Sequence, residues 1–342
     1  MLVLGLQGSP MLKGSTSYLL DMFLSHMATY GARTERVDVS QKNIHPCKGC
    51  GYCEKNGVCV INDDDMATEI YPLLRQAEVI VAASPVFFYG VTSQLKALID
   101  RTQTLWSRKY RFKLADPLKK TRKGFLLSLG GSRGKQLFDG VTLVSRYFFD
   151  AVDAKFSGSL TYRSIETRKD IAQAPTLAED IHQAVEKIMA SFQHRTKIVF
   201  MDKGNALRGQ MAAAFAQYLG GDKLDVMVMG SQPPDPVHSN LAQVMAERGL
   251  DLALHKPVAL ETLTPAERPD LVISMAEEPD VDSFAPEIPC ITWDLPWLNP
   301  ARGENLRALR DQIETKVQAF LESELPAQRS GSESTGSSGT VR

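Results

Sequence analysis

Apolar runs of strand length alternate with helical periodicity from the first residue onward, which predicts parallel strands joined by crossover helices. Met1 to Gln7 reads as a buried first strand. Ser15 to Tyr30 follows as a helix with Leu19, Leu20, Phe23, Leu24 and Met27 on one face, and Gly31 ends it where a left-handed residue is wanted. Thr34 to Val39 predicts a second strand. Asp64 to Gln76 predicts a helix with Met66, Ile70, Leu73 and Leu74 inward, capped by the acids Asp63, Asp64 and Asp65 and kinked at Pro72. Glu78 to Ala83, Gly124 to Gly130 and Lys155 to Leu160 read as strands three to five, with helices over Thr92 to Trp106 and Leu177 to Phe192. The expected fold is α/β, a doubly wound parallel sheet of the flavodoxin-like order, whose ligand sits where strand carboxyl ends diverge.

A second, smaller α/β cycle begins at Lys197, after a short polar hinge. The predicted domains are therefore residues 1–192 and 193–326, followed by a disordered tail over 327–342 that is dominated by Ser, Gly and Thr. The chain has 342 residues, 43% of them apolar, enough for two cores. Its 39 basic and 40 acidic side chains give a formal net charge of −1, so no long-range field draws it to nucleic acid or an acidic membrane surface. No apolar run approaches the length of a membrane span, and the expected location is cytoplasmic.

The densest chemistry is a run of four cysteines, Cys47, Cys50, Cys53 and Cys59, within 13 residues. Thiolates at such intervals can turn inward on one small centre, which is how iron–sulfur clusters are commonly held. A [4Fe–4S] cluster is the leading expectation. Zinc or unligated redox thiols stay open, although structural zinc usually joins two separated cysteine pairs. Structural disulfides would need an oxidising compartment, and Met1 to Gln7 lacks the basic start and length of a signal peptide. Cys290 lies far away at the start of a predicted strand and reads as a buried apolar residue. The six histidines show no ligand spacing, and His45 reads as a solvated loop residue.

Between the first strand and helix, Gly8 to Thr16 places free backbone N–H groups, hydroxyls and the positive helix end around one point, as a phosphate cradle does. After the third strand, Ser84 to Gly90 is an aromatic stretch suited to lie along a flat ring, or else a core-facing apolar turn. In a parallel sheet these loops and the cysteine loop open on one edge, so a cluster and a ring would be neighbours.

Ser9-Pro10 through Thr16, Ser84-Pro85-Val86-Phe87 and Gln94 through Asp100-Arg101 resemble the NAD(P)H-dependent FMN reductases of the flavodoxin superfamily. With the cysteine run through Met66 they resemble its iron–sulfur flavoprotein branch. The resemblance implies that Ser9, Gly14, Ser15 and Thr16 hold the FMN phosphate, that Pro85, Val86 and Phe87 line the isoalloxazine, and that Gly130, Gly131 and Ser132 approach it. It also implies NAD(P)H or a protein as electron donor, a small-molecule or protein acceptor, and a homo-oligomer. Relatives often carry Arg where this chain has Met11, and Lys13 is the available substitute charge.

Lys197 through Phe215 is again strand, tight loop and helix, and it resembles the low-molecular-weight tyrosine phosphatase and arsenate reductase family, whose loop runs Cys-x-Gly-Asn-x-x-Arg. Gly204, Asn205 and Arg208 match that loop, but Asp202 stands where the nucleophilic thiolate is required. Asp294, before Leu-Pro, is a poor general acid. This domain is expected to be catalytically silent, with Gly204, Asn205 and Arg208 as a possible anion loop. The alternatives are a cluster-free NAD(P)H-dependent FMN or quinone reductase, and a non-catalytic redox sensor or anion- or protein-binding module. No catalytic side chain is assigned.

Overall fold

All six residues of the first strand, β1 (Leu2–Gln7), are buried, because helices cover both faces of the sheet it belongs to. In the computed structural model β1 lies between β2 (Arg33–Asp38) and β3 (Val79–Pro85), followed by β4 (Lys123–Gly130) and β5 (Lys155–Arg163). Every pairing is parallel, and the order β2-β1-β3-β4-β5 is the flavodoxin-like one. The structure describes residues 1–202, 207–230, 240–255, 268–275, 288–296 and 305–324. The predicted tail lies outside them.

The helices are α1 (Ser15–Thr29), α2 (Tyr52–Asn56), α3 (Tyr71–Gln76), α4 (Ser93–Arg101), α5 (Gln103–Tyr110), α6 (Asp139–Ala151), α7 (Arg168–Ala172) and α8 (Leu177–Met189). Because side chains alternate along a strand, Val3 and Val81 meet Leu19, Phe23 and Val185 of α1 and α8 on one face. Leu4 and Ile80 meet Ile70, Leu74, Leu98 and Phe149 on the other.

Two predicted helices are interrupted, each for a local reason. Pro72 has no N–H to give to Thr68, and the chain widens into a π turn over Met66–Ile70 before α3. Thr102 turns its hydroxyl back onto the Ile99 carbonyl at 2.7 Å, where α4 gives way to α5.

The second sheet, β6 (Thr196–Met201), β7 (Leu224–Met229), β8 (Leu271–Ser274) and β9 (Cys290–Thr292), is also parallel, in the order β7-β6-β8-β9. It packs with α9 (Arg208–Gly220), α10 (Leu241–Ala246) and α11 (Leu306–Ala319) around Phe200, Phe215 and Trp293. Cys290 is exposed rather than buried, since β9 is the edge strand and turns Cys290 and Thr292 outward.

The two units are joined by more than the hinge. Ala115 and Leu250 form a parallel β-bridge, with the Ala115 N–H donating to Gly249 at 2.8 Å and the Asp251 N–H donating to Ala115 at 2.8 Å. Arg195 donates to Glu78 at 2.6 Å. Among the described residues no helix is long and apolar enough to cross a membrane.

Candidate functional site

The loop after β1 is held from below. The Gly8 N–H donates to Ala83 at 2.8 Å, and the Thr92 hydroxyl donates to the Gly8 carbonyl. A Cβ on Gly8 would lie 2.9 Å from both the Ala83 oxygen and Leu95 Cβ, so this close approach requires glycine. Ser9 is spent within the loop, its hydroxyl accepting from the Met11 N–H at 3.1 Å. Gly14 precedes α1 with no side-chain cap, and no acid occupies the first turn. The amino end of α1 thus keeps its orphan N–H groups, lined by the buried Ser15, Thr16 and Ser17, facing any anion that enters. Met11 and Lys13 are exposed.

The loop after β3 adjoins the loop after β4. The Val86 N–H donates to Leu129 at 2.9 Å, beside Gly130, while Gly131 and Ser132 lie open to solvent. Phe87 and Gly90 exchange two backbone hydrogen bonds of 2.9 Å, closing a two-residue turn in which Phe88 (φ 47°) and Tyr89 (φ 62°) both take left-handed backbone. This turn is not core-facing: Phe87, Phe88 and Tyr89 are all exposed. Pro85 and Val86 are half-buried. The loops of β1, β3 and β4 therefore meet.

The cysteine loop goes elsewhere. Thr92, the amino-terminal cap of α4, touches the cradle, whereas the four cysteines share a cavity of about 360 Å³ with Asp100, Arg101, Gln103 and Thr104 at the carboxyl end of α4. Nine residues of helix rising ~1.5 Å each separate the two places by roughly 14 Å. The cysteine loop thus meets the carboxyl end of α4, while the cradle meets its amino end.

Within the loop, Gly49 (φ 63°) and Gly51 (φ 67°) take the left-handed backbone that winds the chain around the cavity. Cys47 and Cys50 are exposed, and Cys53 and Cys59 are half-buried. Among the described residues no group of three His, Cys, Asp or Glu side chains converges closely enough to hold a single metal ion.

Arg101 ties the loop at both ends. It donates to the carbonyls of His45 at 2.8 Å and Ile61 at 2.9 Å, and pairs with Asp64 at 2.5 Å, both side chains fully buried. Burial alone would raise the Asp64 carboxyl. Hydrogen bonds from Arg101 and the His45 N–H instead hold it below the ordinary value. Asp64 also accepts from the Ala67 N–H, so the predicted cap is present but subordinate to the ion pair. His45 itself is exposed.

Sequence reasoning missed the roles of Arg101 and Arg108. The signal was available: both arginines continue an apolar track, Arg101 three residues after Leu98 and Arg108 three after Leu105, and an arginine in core phase needs a buried partner.

In the second unit, Asp202 directly follows β6 and is buried. Arg208 donates to it at 2.7 Å through Nη2 and at 3.4 Å through Nε, and to the Leu295 carbonyl at 3.1 Å. The arginine expected to face an anion faces an internal carboxylate. Gly204 and Asn205 lie outside the described residues, and Asp294 is exposed.

A doubly wound flavin-type sheet followed by a phosphatase-type sheet defines the class of protein. Residues 1–136 match the family described as NADPH-dependent FMN reductase, and residues 197–330 match low molecular weight phosphotyrosine protein phosphatase. The two matches fall on either side of the hinge, each over less than half of the chain. It is 40% identical over 105 residues to an iron–sulfur flavoprotein of Methanocaldococcus jannaschii, covering 31% of this chain and 53% of that one. An iron–sulfur flavoprotein of Methanosarcina thermophila is 38% identical over 133 residues, covering 39% and 65%. The chain therefore spans less than two thirds of the length of either flavoprotein. A Halobacterium salinarum protein whose name proposes arsenate reduction is 31% identical over 127 residues, covering 36% of this chain and 88% of that protein.

Proposed function

We propose that the protein is an FMN-dependent oxidoreductase that carries a [4Fe–4S] cluster on Cys47, Cys50, Cys53 and Cys59, with a second domain silent toward phosphate esters and arsenate. The observation that carries the cluster is the sharing of one cavity by all four cysteines. A tetrahedral zinc with Zn–S near ~2.3 Å would draw its sulfurs to within about 4 Å of each other. A cubane is larger and accepts thiolates set around a cavity.

FMN would supply two-electron chemistry released singly, and the cluster one electron at a time. Ser15 and Thr16 on α1, with Gly14 before them, would bind the FMN phosphate; Ser9 would shape the loop. Pro85, Val86 and Phe87 would lie along the ring, with Gly130, Gly131 and Ser132 beside it. NAD(P)H as donor is supported by the family description for residues 1–136. The exposed edge of the cysteine loop suits exchange with a small-molecule or protein partner. A cytoplasmic homo-oligomer, divided at residues 192 and 326, completes the reading.

Silence of the second domain is supported by the Asp202–Arg208 pair. A carboxylate fills the place of the nucleophile and neutralises the arginine that would bind an oxyanion.

The deciding experiment is the absorption spectrum of anaerobically purified protein with flavin, iron and acid-labile sulfide analysis. Bound FMN with iron and sulfide in equal amounts is expected, and Cys50→Ser should lose the iron while keeping FMN. Zinc in place of iron would sink the cluster, and protein that takes up no added FMN would sink the oxidoreductase.

A further inference from the structure

The second domain reaches into the cysteine loop through one arginine. Arg108, buried on α5, donates through Nε to both carboxylate oxygens of Asp251 at 2.8 Å. Its Nη1 donates to the carbonyl of Gly57 at 2.9 Å, inside the loop and between Cys53 and Cys59. Gly57 has φ 68°, and a Cβ there would lie 2.6 Å from that same Nη1. The guanidinium is thus pressed against the one backbone position that leaves it room. One residue earlier on α5, the Ser107 hydroxyl lies 3.8 Å from the Cys53 sulfur.

Asp251 is itself fixed. Its N–H donates across the β-bridge to Ala115 at 2.8 Å, its carboxylate accepts from the Ala253 N–H at 3.1 Å, and Arg75 donates to its other oxygen. Taking Asp251 away would leave Arg75 with Asp116 but would leave Arg108 without its only carboxylate among the described residues. A buried guanidinium in that state leaves its site or draws in water, and the Gly57 carbonyl moves with it.

We infer that Asp251 of the second domain is a positioning residue for the cysteine site: by fixing Arg108 it holds Gly57, and through Gly57 the half-buried pair Cys53 and Cys59, so the thiolate set is complete only with the two domains docked. The consequence for the metal rests on the cluster reading above; the consequence for the thiols does not. The domain that has lost its own nucleophile thereby serves the chemistry of the first.

The test uses the full-length, metal-free, reduced protein and follows iodoacetamide labelling of each cysteine by mass spectrometry. Cys47 and Cys50, already exposed, are the internal reference. Asp251→Asn and Arg108→Met are each expected to raise labelling of Cys53 and Cys59 about tenfold over that reference, the scale of losing a charge-assisted anchor, with FMN affinity unchanged. Arg108→Met keeps Asp251 paired with Arg75, so it reports on the loop without stripping the seam. Asp251→Glu should recover part of the protection. Glu78→Gln, which breaks the ion pair to Arg195 elsewhere on the same seam, should leave labelling at the wild-type rate. Unchanged labelling in Arg108→Met, or an equal rise in Glu78→Gln, would overturn the inference. Iron-free wild-type protein would sink the cluster and leave this labelling pattern to be decided separately.

Discussion

Arg101 and Asp64 meet at 2.5 Å with neither side chain exposed, and the same guanidinium holds the carbonyls of His45 and Ile61 on either side of the four cysteines. The pair closes the loop's neck as a disulfide might, but with charge instead of a covalent bond. Removing one partner of a buried pair strands the other, at a cost of about 3–5 kcal/mol. Arg101→Met is therefore expected to destabilise the first domain by that amount in urea unfolding. It should also release iron to a chelator faster than wild type, while Lys96→Ala, at an exposed pair one turn away, changes neither.

The cradle makes a separate prediction. Gly8→Ala forces a methyl against the Ala83 carbonyl and Leu95, and overpacking of this kind costs about 1–3 kcal/mol. The strain falls on the loop leading into α1, so FMN affinity should drop roughly tenfold or more for a ~1.4 kcal/mol loss. Titration of flavin fluorescence checks it, and iron content should stay at the wild-type level, because the cysteine cavity lies at the far end of α4.

Asp202 and Arg208 give a prediction of gain. Asp202→Gly removes the internal carboxylate that Arg208 holds, so an external anion can take its place. Phosphate or arsenate should raise the melting temperature of this variant and not that of the wild type, through ligand linkage. Asp202→Cys is expected to add weak hydrolysis of an aryl phosphate. Absence of both effects would mean the loop has drifted beyond anion recognition.

The domain seam should weaken in mild acid. His255 has Nε2 enclosed and without a hydrogen-bond partner among the described residues, facing Asp116, Arg75, Asp251 and Arg122. Burial is the main cause that lowers its pKa, to about 4, against the upward pull of the two carboxylates. An unfolded histidine binds its proton near 6.5, so between about 6.5 and 4 the unfolded chain takes up the proton first, and stability falls as pH falls. Each pH unit in that window is worth ~1.4 kcal/mol, so the loss reaches about 3 kcal/mol. His255→Gln should flatten this slope in thermal melts across the same range. Asp116, held near 2 by Arg122 and Arg75 against the cost of burial, adds its own loss only at lower pH.

Strand order was legible because each element carried its own evidence. Leu19, Phe23 and Met27 fell on one face, Gly31 took the left-handed φ of 80°, and β1, β3 and β4 lay side by side in the expected parallel order. The path of the cysteine loop was not legible. Its residues are polar, Gly-rich and without periodicity, so nothing local says that Cys47 to Cys59 fold back along α4; that is decided by Arg101, 40 residues beyond Ile61. Cys290 shows the same limit: its residue type suggested burial, but edge position in the sheet decided otherwise.

The bridge between Ala115 and Leu250 bears on how this polypeptide can be divided. A gene fragment stopping at the hinge would encode a flavin half with Arg75 and Arg108 stripped of Asp251, and an unpaired strip of backbone at Ala115. Grafting the phosphatase-like half onto another reductase would need the same arginines waiting in the host. A truncation at the hinge therefore has to rewrite the surface it uncovers.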